Sequence, residues 1–324
     1  MAEIDTLLAH LSPSFTSQTE NIAVEALGYV LNKYAGSREG LDDVVRSGVR
    51  NVKPVVKVRT QVSALDGTRP DLVGVDEDGA ERVLIEAKFW AELTRRQPHA
   101  YLDRLPDDGP AVLLFLAPEE RVASLWPKLR SRAQNAGKTL TDIDAERKCV
   151  RVDGTQRHML LVSWTGMLDR MSARTRDEQD ADGDIRQLRG LADFAEEGQF
   201  RPIRDTREDF GPDSRQMRDI KRIIDAATER GIADGWASRR GLNRTPRSYG
   251  YGRYLKLGGH VVWFGIHTGR WERDGETPLW LDCGNERWVP IPLVVDNEFV
   301  EYVDVLNGVV SALREFAEAP ENRR

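Results

Sequence analysis

The feature that most restricts the fold is Ala111–Ala117, a run of seven consecutive apolar residues closed by Pro118. It is far shorter than the roughly 20 residues a membrane-spanning helix needs. A short strand that is apolar on both faces must be covered on both, as in sheets sandwiched between helix layers. The flanking segments supply such layers. Glu119–Ala136 reads as a long helix, and Trp90–Leu105 reads as another, ended by Pro106.

Upstream, Thr19–Tyr34 places Ala23, Leu27, Val30, Leu31 and Tyr34 at helical spacing, with Ser17 or Thr19 as its cap. A loop rich in glycine and charge follows. In Pro54–Val62, Val56, Val58 and Thr60 alternate with Lys57, Arg59 and Gln61, the pattern of a half-buried strand. Arg69–Val75 and Arg82–Lys88 are two further strands around Asp78-Gly79, a two-residue hairpin signal. Beyond the central run come a hairpin-like stretch at Asp153-Gly154, the apolar Met159–Trp164 and a helix from about Thr165. The order is helix, three strands, helix, strand, helix, strand: a mixed α/β layer fold with helices on both sheet faces.

Composition changes at Ser172. Arg174–Asp184 is dense in alternating charge and reads as a solvated linker, followed by a short amphipathic helix (Ile185, Leu188, Leu191, Phe194) and a loop, Gly198–Ser214. The expected division is residues 1–171, a linker over 172–214, and a smaller α+β domain over 215–324. In that last domain the reading gives a helix Met217–Arg230, strands Val261–Ile266 and Pro278–Asp282, and a closing helix Glu298–Phe316. Asp274-Gly275 is expected to turn a hairpin that brings Trp271 near Leu279 and Trp280. Recognition, regulation, a protein partner or homo-oligomer contact all suit such a domain.

With 40% hydrophobic and 31% charged residues, the chain reads as a water-soluble globular protein without a membrane partner. Glu3 and Asp5 stand where a secretory signal carries Lys or Arg, so a cytoplasmic location is expected. Cys149 and Cys283 match no CxxC spacing and read as buried, reduced thiols. A net charge of −6 argues against coating nucleic acid by bulk electrostatics, although it leaves room for a local basic groove.

The chemistry concentrates on the hairpin. If Asp78 and Gly79 are the two turn residues, Asp71 lies directly opposite Glu86. Directly opposed side chains have Cβ atoms about 4.5–5.5 Å apart. Lys88, two residues on, points to the same face, which Val73, Val75 and Leu84 share. Leu72, Val83, Ile85 and Ala87 line the other. Facing carboxylates shielded from water are costly unless compensated, and a divalent cation between them removes the conflict. Such a cation polarises a phosphodiester and activates a bound water, while Lys88 adds positive charge where the phosphate accumulates negative charge. The same spacing also fits an exposed ion cluster at a hairpin end.

Pro70-Asp71 followed by Glu86-Ala87-Lys88 resembles the PD-(D/E)XK nuclease superfamily, whose restriction-endonuclease-like αβββαβ core has the element order read above. Gln97-Pro98-His99-Ala100-Tyr101 looks like the QxxxY signature of the RecB-like branch, with Gln97 and Tyr101 on one face of a helix that begins near Gln97. The resemblance covers about residues 15–170. It implies a Mg²⁺- or Mn²⁺-dependent nuclease acting on nucleic acid, DNA being the expected one, in settings such as bacterial restriction, repair or phage defence. It also implies a metal sphere of Asp71, Glu86 and the Ala87 carbonyl, and an acidic residue on the first helix. Glu20 is preferred over Glu25 for that role because it lies on the stripe with Ala23, Val24, Leu27 and Leu31. Glu20 also fits a helix N-terminal acid that simply complements the macrodipole. The alternatives to an active nuclease are a binding or scaffold module that retains the fold, and an effector nuclease gated by a ligand on the C-terminal half.

Trp236–Lys256 carries Arg239, Arg240, Arg244, Arg247 and Arg253 interleaved with Tyr249 and other aromatics, and has no Asp or Glu. That mixture suits phosphates and unstacked bases, making these residues the expected nucleic-acid contacts. It also fits arginines paired with acids elsewhere, such as Glu196, Glu197 or Asp209. His260 and His267 flank a strand without a third metal ligand and are assigned none.

Overall fold

The computed structural model describes residues 6, 8, 19–60, 68–89, 93–197, 215–239, 242, 250–275, 277–294 and 301–319. The chain divides into two compact units, Met1–Gln199 and Phe200–Arg324.

Among the described residues, the first unit holds one seven-stranded sheet in the order β1-β2-β3-β4-β7-β6-β5. Its strands are β1 (Lys57–Thr60), β2 (Leu72–Val75), β3 (Glu81–Ala87), β4 (Ala111–Ala117), β5 (Leu140–Asp144), β6 (Cys149–Val152) and β7 (Arg157–Ser163). β3, β4 and β7 run parallel at the centre, and antiparallel pairs extend the sheet to either side. Every residue of β4 is buried, as its unbroken apolarity requires. One face packs on α1 (Thr19–Lys33), α2 (Ala35–Gly48), α5 (Trp164–Arg174) and α6 (Ala181–Glu197); α3 (His99–Arg104) and α4 (Glu119–Asn135) lie over the other.

Several expectations are corrected. The segment read as a glycine-rich loop after the first helix is α2. Leu41, Val44 and Val45 give it an apolar face, and Gly36 and Gly40 are points of close contact with α5. A Cβ at Gly40 would lie 2.7 Å from the Met171 Cα of α5, so only glycine permits this approach. The amphipathic helix expected from Ile185 is present but begins at Ala181 as α6, and it buries Ala181, Ile185, Leu188, Leu191 and Ala192 in the same core as α1. Of its charges, Asp182 and Arg186 pair on the exposed side, whereas Asp184 binds Lys33 of α1 and the adjacent Tyr34, and Arg189 binds Asp169 of α5. The first unit therefore continues well past residue 171. The helix expected over Trp90–Leu105 is confined to His99–Arg104, after turns over residues 95–98; residues 90–92 lie outside the described residues. Trp164 opens α5 instead of ending a strand, because the Ser163 hydroxyl caps the helix by accepting from Gly166 N at 3.0 Å.

In the second unit, the described strands β8 (Ala237–Ser238), β9 (Gly252–Leu257), β10 (His260–Ile266), β11 (Leu279–Asp282) and β12 (Trp288–Ile291) form an antiparallel sheet. It packs on α7 (Arg215–Ala233) and α9 (Tyr302–Glu318). Asp274-Gly275 is not a hairpin turn. It ends a short helix, α8 (Thr268–Asp274), with Gly275 at φ +73° as the left-handed cap. His267 caps the start of α8 by accepting from Arg270 N. Among the described residues no helix is long and apolar enough to cross a membrane. Both cysteines are free; Cys149 is buried and Cys283 half-buried.

Candidate active site

Asp71 and Glu86 come together through two local offsets that cancel. The turn is not the two-residue Asp78-Gly79 form. Asp76 N bonds to Ala80 O at 3.0 Å, which leaves three residues in the loop, with Gly79 at φ +82°. Val75 then pairs with Glu81, one residue out of the expected register. A bulge at Arg82 supplies the missing residue, so Leu72 pairs with Ile85 and Val73 with Leu84. Continuing that register places Asp71 opposite Glu86. The loop and bulge are held by Asp76, which is 2% exposed. Its carboxylate accepts from Asp78 N at 3.0 Å, Ala80 N at 2.9 Å and Arg82 Nε at 2.7 Å. Burial works against ionised Asp76, but Arg82 and the loop amides overcome it and hold the carboxyl below its usual range.

The alternation of the two strands is as expected. Val73, Val75 and Leu84 enter the core beneath α3 and α4, and Leu72, Val83, Ile85 and Ala87 enter the core beneath α1. Asp71, Glu86 and Lys88 thus share the α3 side.

Glu86 is 3% exposed and Lys88 9%. Oε1 of Glu86 takes two donors, Lys88 Nζ at 2.7 Å and Gln97 Nε2 at 2.6 Å. Among the described residues its Oε2 is buried with no hydrogen-bond partner. Asp71 Oδ2 accepts from Ala87 N at 2.8 Å. An extended residue directs its N–H and C=O to the same side of the strand, so the Ala87 carbonyl also faces Asp71. Burial, reinforced by the Asp71 charge, pushes the Glu86 carboxyl up to about 7 against Lys88 and Gln97. Burial also raises Asp71, against Ala87 N–H, Lys88 and Arg69. Both directions are those of carboxylates short of positive charge.

Gln97 is 2% exposed and precedes α3, and does not lie on it. Its carbonyl accepts from Thr94 N at 3.0 Å while its amide reaches Glu86. Tyr101, on α3, donates to Arg69 O at 3.1 Å. Burial and the Glu86 charge push its phenol up to about 12, so it stays a neutral donor. Gln97 and Tyr101 meet at the site, though through a turn and a helix in place of the single helical face expected.

Neighbouring residues missed in the sequence hold these groups. Arg104 forms a two-pronged pair with Glu81, both contacts at 2.8 Å, and donates to Thr68 O at 3.2 Å. Tyr101 and Arg104 therefore tie the segment before Asp71 to α3. From α4, fully buried Arg121 donates to Phe89 O at 3.0 Å, and Arg132 reaches Leu93 O at 2.6 Å and Thr94 O at 2.9 Å. Their charge and length gave no signal of this role, since the carbonyls they meet lie far off in sequence. On α1, exposed Glu25 adds its charge to the rise of Asp71. Glu20 is in the first turn of α1, and its side chain lies outside the described residues.

Among the described residues there is no cluster of three or more His, Cys, Asp or Glu able to hold a metal. The oxygen set here is two carboxylates and a main-chain carbonyl. The unpartnered Glu86 Oε2 beside Asp71 fits a hard divalent cation, which favours oxygen donors and fills the rest of its sphere with water.

Of the arginines expected to contact nucleic acid, Arg240, Arg244 and Arg247, with Tyr249, lie outside the described residues. The two described ones are committed within the second unit. Arg239 pairs with Glu229, and Arg253 binds Asp225 at 2.7 Å while lying 4.7 Å from the Tyr251 ring centre. Their described partners, Glu229 and Asp225, are acids of α7; the side chains of Glu196, Glu197 and Asp209 lie outside the described residues.

Compared with protein-family models, curated proteins and solved structures, the chain matches none of them.

Proposed function

We propose that the first unit is a metal-dependent nuclease of the PD-(D/E)XK type with a restriction-endonuclease-like core, acting on DNA through Asp71, Glu86 and Lys88. The observation that carries this reading is the buried, unpartnered Oε2 of Glu86 beside Asp71. Among the described residues that oxygen takes no donor although Lys88 and Gln97 both serve Oε1, and a cation between the two acids would supply the missing charge, since burying uncompensated charge costs several kcal/mol.

Asp71, Glu86 and the Ala87 carbonyl would hold Mg²⁺ or Mn²⁺. When bound, the ion supplies Lewis acidity toward a phosphodiester oxygen and lowers the pKa of a bound water. Gln97 fixes the Glu86 carboxylate by its 2.6 Å bond, and the Ala87 N–H fixes that of Asp71. Lys88 spends one of its three N–H donors on Glu86. The others can meet a phosphate oxygen as its negative charge grows, a contact worth most in a site shielded from water. Tyr101 remains protonated and holds the approach to Asp71 in place.

The test is cleavage of labelled single- and double-stranded DNA with Mg²⁺, alongside Asp71→Ala, Glu86→Ala and Lys88→Ala proteins shown to be folded by circular dichroism. Cleavage by the parent and loss in all three is expected. Equal cleavage by all four proteins would reject the assignment.

A further inference from the structure

We infer that the phosphate backbone of the substrate runs over the β1 edge strand, on Lys57 and Arg59, and past the acid pair to Arg95; this rests on the nuclease reading above. The register carries the argument. Lys57 pairs with Val75 and Arg59 with Val73. Directly opposed residues share a sheet face, so both cations lie on the face that carries Asp71, Glu86 and Lys88. Arg59 stands one two-residue step, about 7 Å, along the strand from the position opposite Asp71. Both are exposed, because α3 and α4 cover the middle of that face and not its β1 edge.

Next to Glu86, the turn that delivers Gln97 exposes Arg95 and Arg96, and Arg69 is exposed two residues before Asp71. Exposed cations thus adjoin both acids, Arg69 next to Asp71 and Arg95 two residues before the Gln97 that binds Glu86. Among the described residues Lys57, Arg59 and Arg95 form no ion pair, whereas Arg239 and Arg253 of the second unit are committed to acids of α7. In a chain of net charge −6, three uncommitted cations around one acid pair make a local basic strip. Charge on an edge strand often serves to block sheet-to-sheet pairing. Here the outer edge is already closed at Val58, whose N and O bond to the Asn32 side chain at 3.0 and 2.8 Å. The cations are therefore available for phosphate.

The experiment measures binding of the full chain to a fluorescent DNA duplex in EDTA, across a salt series, for the parent, a Lys57→Ala/Arg59→Ala/Arg95→Ala triple variant and an Arg239→Ala/Arg253→Ala double variant. Each lost phosphate contact lowers the log–log salt slope by about 0.9. The triple variant should lose about 3 from the slope and bind at least about tenfold more weakly at low salt, while the double variant matches the parent. An unchanged slope in the triple variant, or no binding by the parent, overturns the strip. The two readings separate. Binding through the strip without cleavage in Mg²⁺ keeps the strip and rejects the nuclease; cleavage with an unchanged slope does the reverse.

Discussion

Asp71 accepts the main-chain N–H of Ala87 at 2.8 Å, so its carboxylate is fastened to the residue that lies between Glu86 and Lys88. This bond couples the end of β2 to the end of β3 beyond the last ladder pair. The acid pair is thereby a property of the strand ends, and not of two side chains that happen to face each other.

The pH dependence of stability follows from the raised Glu86 carboxyl. A group whose pKa in the folded chain exceeds its unfolded value favours folding at low pH and loses that contribution as pH rises through the folded value. For Glu86 the window runs from its ordinary 4.5 to about 7. At about 1.4 kcal/mol per unit, the effect amounts to a few kcal/mol. Metal-free parent protein should lose stability relative to Glu86→Gln between pH 5 and 7.5, with the difference flat above pH 8. Urea unfolding at stepped pH measures it, and a pH-independent difference would refute the burial of Glu86.

Gln97→Ala removes a donor from Glu86 Oε1 and an acceptor from Thr94 N. Losing a partner that orients a ligand costs about 10–100-fold in metal affinity or activity. The expected result is a fall of that size in cleavage rate with more Mg²⁺ needed for half-maximal activity. An unchanged Mg²⁺ dependence would show that Gln97 does not orient Glu86.

Gly40→Ala tests the packing of α2 on α5. The added carbon would sit 2.7 Å from the Met171 Cα, so the helices must separate. Overpacking of this kind costs about 1–3 kcal/mol. The unfolding midpoint should drop while cleavage per folded molecule is kept, because Gly40 touches nothing in the site. A stability equal to the parent's would mean that the two helices are not in close contact.

How far the sequence revealed these relationships depended on how local their cause was. The central strand, the long helix after it and the inward and outward sides of β2 and β3 follow from neighbours one or two residues apart. The Asp71–Glu86 juxtaposition was reached from a turn that does not exist, and survived because the extra loop residue is balanced by the Arg82 bulge. The segment of α2 read as a loop rich in glycine and charge because the reason for Gly36 and Gly40, the Arg174 and Met171 backbones, lies more than a hundred residues away. The same holds for Arg104, Arg121 and Arg132, whose carbonyl partners belong to other segments. Glu25 was set aside because it lies off the apolar stripe of α1. The site, however, is at the margin of the sheet, where an acid off that stripe can still act on Asp71.

Binding of Mn²⁺, followed by electron paramagnetic resonance at pH 8 and pH 6, tests the central claim most directly. The parent chain should take up an ion that Asp71→Asn and Glu86→Gln both fail to bind, with weaker uptake at pH 6, where protons compete for Glu86. No uptake by the parent, or uptake undiminished in both variants, would contradict the account.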